Sequence, residues 1–402
     1  MPHVVVIGAG QAGSSCVAKL RAEGFDGDIT LVGGEPVPPY QRPPLSKAYL
    51  LGDMAEERLY LRPVSFYADN TIDLRLSTRA TAIDPVGKTV TLENTDVLTY
   101  DHLVLTTGSH PRTLPSAIGG GLGNVFSVRD LADADAMAPA FADGKKALII
   151  GGGYIGLEAA AVAAKRGVSV TLVEMADRIL QRVAAPETSD YFRDLHASHG
   201  VNIVEGVGLE RLIGDDVVTG AVLTDGTKLD IDFAVVGVGI APATILAEAA
   251  GLTIDNGIAT NSFGQTSDPA IWAAGDCASA PLGGHQIRIE SVGNAIDQAE
   301  VVAKNIAGTE APYVPKPWFW SDQYDCKLQI AGLNIGYGAV YVRKTGDAQS
   351  HWYYKGYQLI AVDAMNDPRN YMIGKRLIEA GKSPAPDLIT DPDTDMKALL
   401  KA

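Results

Sequence analysis

Val4-Val5-Val6-Ile7-Gly8-Ala9-Gly10-Gln11-Ala12-Gly13 comes almost at the start of the chain. Four apolar, β-branched residues read as a buried parallel strand, and glycines spaced G-x-G-x-x-G read as the turn into a helix running through Leu20. A second apolar run, Ile29 to Val32, closes on Gly33-Gly34-Glu35. Strand, glycine turn, helix, strand and acid make a dinucleotide-binding unit, and each part has a physical task. Gly8 permits the tight turn, Gly10 lets a pyrophosphate approach the backbone, Gly13 lets helix and strand pack, and amides at the helix start meet the phosphates. Glu35 is spaced to accept hydrogen bonds from ribose hydroxyls.

The unit recurs once. Ala147 to Ile150 is the strand, Gly151-Gly152-Gly153-Tyr154-Ile155-Gly156 the turn, Leu157 to Arg166 the helix, and Val168 to Val173 the second strand, closing on Glu174. Two fingerprints predict two dinucleotides. A carboxylate at the position of Glu174 accepts from a 2′-hydroxyl and repels a 2′-phosphate, which favours NADH over NADPH. Arg178 and Arg182 nearby are the features that oppose this reading.

The whole chain of 402 residues is acidic, with 33 basic against 48 acidic side chains. At a net charge of -15 it would repel a phosphate backbone, so no nucleic-acid partner is expected. Its apolar content is too high for disorder, and its length suits two or three domains. Cys16, Cys277 and Cys326 lie far apart and form neither a disulfide framework nor a zinc motif. Neither a signal peptide nor a membrane span is read, and the expected location is cytoplasmic. His196 and His199 are three apart on an expected surface helix without a carboxylate partner, so no metal is expected. After Thr309 prolines punctuate the chain. Runs around Leu328 to Ala331, Tyr337 to Val342, His351 to Tyr354 and Gln358 to Val362 read as antiparallel strands, followed by a helix from about Tyr371 to Ala380. The Pro- and Asp-rich tail from Ser383 to Asp395 reads as extended or mobile. The fold class is therefore α/β, with two Rossmann-like nucleotide-binding domains and a C-terminal α+β domain.

Further segments align with these. Arg42-Pro43-Pro44-Leu45-Ser46-Lys47 follows the first acid, Leu105-Thr106-Thr107-Gly108 follows an apolar strand, and Ala273-Ala274-Gly275-Asp276-Cys277 precedes Glu290-Ser291-Val292 and Asn294-Ala295. Together with Pro317-Trp318-Phe319-Trp320-Ser321-Asp322-Gln323, they resemble the FAD- and NADH-dependent ferredoxin reductases that serve bacterial cytochrome P-450 and ring-hydroxylating dioxygenase systems.

The resemblance implies a glutathione-reductase-like outline: an FAD domain over 1–111 and 246–312, an NADH domain over 112–245, and a C-terminal domain over 313–402. It implies that Asp276 hydrogen-bonds the ribityl chain, that the Val292 amide approaches the flavin pyrimidine edge, and that Arg129 holds the FAD phosphates or adenine side. It puts Lys47 near flavin N5, paired with Glu158, and adds Arg42 and Trp320 to the flavin contacts. On the NADH side it implies Gly151, Gly153, Tyr154, Ile155, Gly156, Glu174 and Gly239. Tyr154 reads either as a gate over the flavin or as a packed helix-start aromatic. Trp318, Phe319 and Trp320 read equally as domain core or as flavin neighbours. Ala243 departs from the asparagine that commonly follows Pro242.

Around Arg42 to Lys47 there is no cysteine, so a dithiol or a reactive thiol beside the flavin is not expected. The route that remains takes hydride from NADH to FAD and passes single electrons to a 2Fe-2S ferredoxin serving an oxygenase, with rubredoxin a neighbouring possibility. An NADH oxidase and an apoptosis-inducing-factor-like NADH-responsive flavoprotein are the alternatives. Residues 1–312 hold 22 basic and 38 acidic side chains, whereas 313–382 hold 9 and 6. That contrast predicts a basic docking face for an acidic carrier on the third domain, with Lys327 and Arg343 as its probes.

Overall fold

In the computed structural model, which describes residues 1–401, the first glycine turn leaves the middle strand of a parallel sheet. The order is Ile271–Ala273, His102–Leu105, His3–Ile7, Asp28–Val32, Ile72–Arg75. Val4, Val5 and Val6 are fully buried because a sheet covered on both faces has no solvent side. The helix Gln11–Ala22 packs through Ala12, Cys16 and Leu20 among residues of the helix Val292–Ile306, including Ala295, Ala299 and Val302. The opposite face of the sheet is covered by Ile83, Val90 and Leu98 of the antiparallel strands Ala80–Asp84, Thr89–Leu92 and Val97–Thr99. These elements belong to one of two units, made of Met1–Gln41, Glu56–His110 and Ala241–Pro317.

The other unit gathers Arg42–Ala55, Pro111–Ile240 and the residues from Trp318 on. Its parallel sheet runs Asn202–Glu205, Ser169–Glu174, Lys146–Ile150, Phe233–Val236, Val125–Phe126, again with the strand before the glycine turn in the middle. An antiparallel sheet follows in the order Trp318–Gln323, Cys326–Gly332, Gln358–Met365, Ala348–Lys355, Ala339–Thr345. The two sheets share a core, in which Leu157, Ala160 and Leu172 join Cys326, Leu328 and Met365. The expected class, two Rossmann-like sheets with a C-terminal α+β part, is the fold observed.

Details depart from expectation for local reasons. The second fingerprint helix begins at Tyr154 and spans Tyr154–Lys165. The C-terminal helix begins earlier, at Pro368, because Asp367 caps it through the Asn370 amide and proline suits a first helical position. The Trp318–Gln323 motif is itself a strand. The tail is held in place: Pro386–Thr390 is helical, and Ile389 and Met396 are buried. Arg343 supplies the anchor. Its guanidinium is buried and donates to the carbonyls of Ile389, Asp391, Pro392 and Thr394. Arg343 therefore cannot serve as a docking charge, whereas Lys327 is exposed. His196 is fully buried in the helix Pro186–Ser198 and does not lie on its surface. Among the described residues no helix is long and apolar enough to cross a membrane.

Candidate functional site

Both glycine turns use the same backbone. Gly8 has φ +114° and Gly151 φ +106°, a region that L side chains avoid. A Cβ on Gly13 would fall 2.0 Å from the Gly8 carbonyl oxygen, and one on Gly156 would fall 2.0 Å from that of Gly151. By contrast, a Cβ on Gly10 or Gly153 meets nothing within 4 Å. The outer glycines are thus demanded by packing, while the middle one borders open space where a substituent would intrude. Gly10 and Gly153 are also the helix N-caps and offer no side chain to the first-turn amides, which are left for an anion. These cradles fit a dinucleotide pyrophosphate.

In the first unit Glu35, three residues past the strand Asp28–Val32, accepts from the Tyr40 hydroxyl at 2.5 Å. Asp276 follows Gly275, whose φ of +81° turns the chain after Ile271–Ala273, and its carboxylate accepts from Ser109 at 3.2 Å. Val292 is the first residue of its helix, capped by the Ser291 hydroxyl on the Asn294 amide.

The second unit brings together residues distant in sequence. Tyr154 and Glu158 lie one helical turn apart on the same face. Glu158 is only 4% exposed, and Lys47 Nζ lies 2.7 Å from its Oε2. A buried carboxylate needs partners beyond one cation, and the hydroxyls of Ser46 (2.8 Å, to Oε2) and Ser321 (2.7 Å, to Oε1) supply them. The turn Pro43–Ser46 presents Ser46 and Lys47 to this helix, and Lys47 also donates to the Pro43 carbonyl at 3.3 Å. Arg42 donates to the Arg129 carbonyl at 2.8 Å, so these two residues also meet. The Tyr154 ring packs on Phe319 with centroids 4.9 Å apart, while its buried hydroxyl has no protein partner. Burial pushes the pKa of that hydroxyl well above its usual value. Trp320 is half-buried and stacks on Trp318 at 5.5 Å.

At the end of the strand Ser169–Glu174, Glu174 accepts from the amides of Gly152 (2.7 Å) and Ala176 (2.8 Å). Arg178 is engaged elsewhere, donating to the Ser189 hydroxyl and the Ala184 carbonyl. Gly239, at φ +101°, lies beside the side chains of Arg112 and Arg182, and its carbonyl accepts from the Arg112 amide. Ile155 is 43% exposed at the helix start.

Sequence reasoning missed Ser46 and Ser321 as partners of Glu158. Both sit inside segments quoted for their pattern, yet serine carries no signature of its own. The three cysteines are buried and unpaired. Burial raises all three thiol pKa values, Cys16 to about 12 and Cys326 to about 11, which makes them poor nucleophiles.

Residues 2–299 match the pyridine nucleotide-disulphide oxidoreductase family, and residues 318–400 match the reductase C-terminal domain. The chain is 41% identical to putidaredoxin reductase of Pseudomonas putida, covering all of this chain and 97% of the relative. It is 40% identical to the ferredoxin reductase subunit of 5,5′-dehydrodivanillate O-demethylase from a Sphingobium strain, over the full length of both. The solved covalent putidaredoxin reductase–putidaredoxin complex superposes with a TM-score of 0.96 at 40% identity, covering 100% of this chain and 98% of that one.

Proposed function

The chain belongs to the pyridine nucleotide-disulphide oxidoreductase family, and on that premise we propose that it is the reductase of a small iron–sulfur carrier feeding an oxygenase. It is an FAD- and nicotinamide-dependent oxidoreductase of the ferredoxin reductase type. The carrier read for it is a 2Fe-2S ferredoxin, and the names of its relatives support a ferredoxin. When bound, FAD supplies acceptance of a hydride and release of its two electrons one at a time, with one proton left over per NADH oxidised.

The protein's part is to hold and orient. Gly8, Gly10, Gly13, Glu35, Arg42, Lys47, Arg129, Asp276, Val292 and Trp320 would hold FAD, across 1–111 and 246–312 with help from the C-terminal residues 313–402. Gly151, Gly153, Tyr154, Ile155, Gly156, Glu174 and Gly239 would hold the nicotinamide dinucleotide within 112–245. Lys47 and Glu158 form the charged pair assigned to the reacting end, where a fixed cation favours the added electrons. Glu174 and the engaged Arg178 support NADH over NADPH, since neither offers a cation to a 2′-phosphate. An acidic chain with three unpaired thiols suits a reducing cytoplasm.

The observation that carries this reading is the pair of glycine cradles with open middle positions, in a chain whose thiols are too buried to take electrons. Anaerobic stopped-flow mixing with NADH and NADPH, then with a panel of 2Fe-2S ferredoxins and a rubredoxin, tests it. Fast bleaching by NADH and rapid reoxidation by one ferredoxin are expected. Bleaching without any carrier response would shift the function to an oxidase or a redox-responsive switch.

A further inference from the structure

The strand Trp318–Gln323 alternates, and on one of its faces Ser321 and Gln323 are fully buried. From Glu158 a line of hydrogen bonds leaves through this face. Ser321 Oγ donates to Glu158 Oε1 at 2.7 Å, and Gln323 Nε2 donates to Ser321 Oγ at 3.1 Å. Gln323 Oε1 then meets His196 Nε2 at 2.8 Å, and His196 Nδ1 meets the Tyr324 hydroxyl at 3.2 Å. The Tyr324 ring stacks on exposed His199 with centroids 3.6 Å apart.

The amide of Gln323 sets the direction of the whole line. Its nitrogen only donates and its oxygen only accepts, so His196 Nε2 carries a hydrogen and Nδ1 accepts from Tyr324. The Ser321 hydroxyl receives one hydrogen and gives its own to the carboxylate. Every donor therefore points toward Glu158, an arrangement in which successive bonds strengthen one another. It needs a neutral imidazole, and burial together with nearby His199 holds the His196 pKa down at about 4, against the pull of its Gln323 hydrogen bond.

We infer that Ser321, Gln323 and His196 are positioning residues for Glu158. The line of donors fixes one carboxylate oxygen, leaving the other for Ser46 and Lys47, so the lysine is held in one place while hydride is transferred. None of the three acts on the cofactor directly. The inference rests on the proposed role of the Lys47–Glu158 pair.

Flavin-loaded protein is bleached anaerobically at saturating NADH in a double-mutant cycle. Glu158→Gln should slow bleaching. Ser321→Ala should slow it about tenfold in the native background and not at all in the Glu158→Gln background, with the half-saturating NADH concentration moved less than twofold. Gln323→Met, which keeps the shape and loses the amide, should slow it about threefold. Gln323→Glu should match Ser321→Ala, because the new carboxylate draws the serine hydroxyl away from Glu158. Bleaching within twofold of wild type in both Ser321→Ala and Gln323→Met overturns the inference. So does slowing by Ser321→Ala that persists in full on top of Glu158→Gln, as a merely structural role would produce. Undiminished bleaching in Glu158→Gln alone overturns the role assigned to Glu158, and the inference with it, which tells the two failures apart.

Discussion

The turns Gly8–Gly13 and Gly151–Gly156 share backbone angles, the same 2.0 Å approach at the third glycine and the same open space at the second, yet their helices carry different side chains. Gln11–Ala22 turns small buried residues, Ala12, Ser14, Ser15 and Cys16, into its own unit and offers no charged group in its first two turns. Tyr154–Lys165 carries an aromatic with an unsatisfied hydroxyl, an exposed isoleucine and a buried glutamate bonded to a lysine and two serines. Phosphate binding is a backbone property and can be duplicated unchanged, whereas chemistry resides in side chains and diverges. On the proposed assignment, the first turn anchors the flavin dinucleotide and the second receives an exchanging nicotinamide dinucleotide beside the Lys47–Glu158 pair.

The largest effects should separate the glycines within each turn. Gly13→Ala and Gly156→Ala each drive a methyl group onto a backbone carbonyl and should cost about 3 kcal/mol or more, read by denaturant unfolding. Gly10→Ala and Gly153→Ala have room for the methyl in the empty protein and extended backbone angles that alanine accepts, so stability should fall by less than about 1 kcal/mol. Their loss should be of ligand: colourless protein from Gly10→Ala, and weakened NADH binding with flavin retained from Gly153→Ala. Full flavin content in Gly10→Ala would break the claim that the first turn is an anchor.

This division also explains what the sequence could convey. Glycine spacing and apolar runs report backbone requirements directly, so both sheets, both turns and the antiparallel third part were legible. The bonds around Glu158 were not. Ser321 and Gln323 share a strand far along the chain from Glu158 and His196, and His196 is buried where Gln323 and Tyr324 meet the helix Pro186–Ser198. The Pro- and Asp-rich tail misled for a related reason: its order comes from distant partners, the Arg343 guanidinium that bonds its carbonyls and the core that buries Ile389 and Met396.

A second contrast concerns acid. The second unit buries His196 and His351, both pushed down to about 4 by burial, and Asp363, pushed up to about 6 by burial against the opposing hydrogen bonds of Tyr353 and Thr188. Below about pH 6.5 the unfolded chain protonates histidines that the folded chain keeps neutral, so each withdraws roughly 3 kcal/mol as pH falls to about 4. Asp363 works in the opposite sense. The folded state takes up its proton near pH 6 and the unfolded state only near 3.8, returning roughly 3 kcal/mol over that interval. Together these three groups should contribute a net loss of about 3 kcal/mol to denaturant unfolding between pH 6.5 and 4. Asp363→Asn should about double it, and an acid limb no steeper in that variant would refute the offset.

Smaller and more specific is the difference between the two acids that close the turns. Glu174 is clamped by two backbone amides, those of Gly152 and Ala176, so its charge stands at a fixed point, while Glu35 accepts from a side-chain hydroxyl, that of Tyr40. Glu174→Ala should lower the NADH over NADPH preference in kcat/KM by about ten- to a hundredfold, because it removes both a ribose acceptor and the repulsion of a 2′-phosphate. Glu35→Ala should weaken flavin retention only a few-fold, measured by dialysis against a flavin-binding competitor. A ligand embedded at many points loses little when one ribose bond goes, whereas a ligand that must come and go is selected at its edge. Equal losses in the two variants would mean that the turns differ less in use than in the side chains they carry.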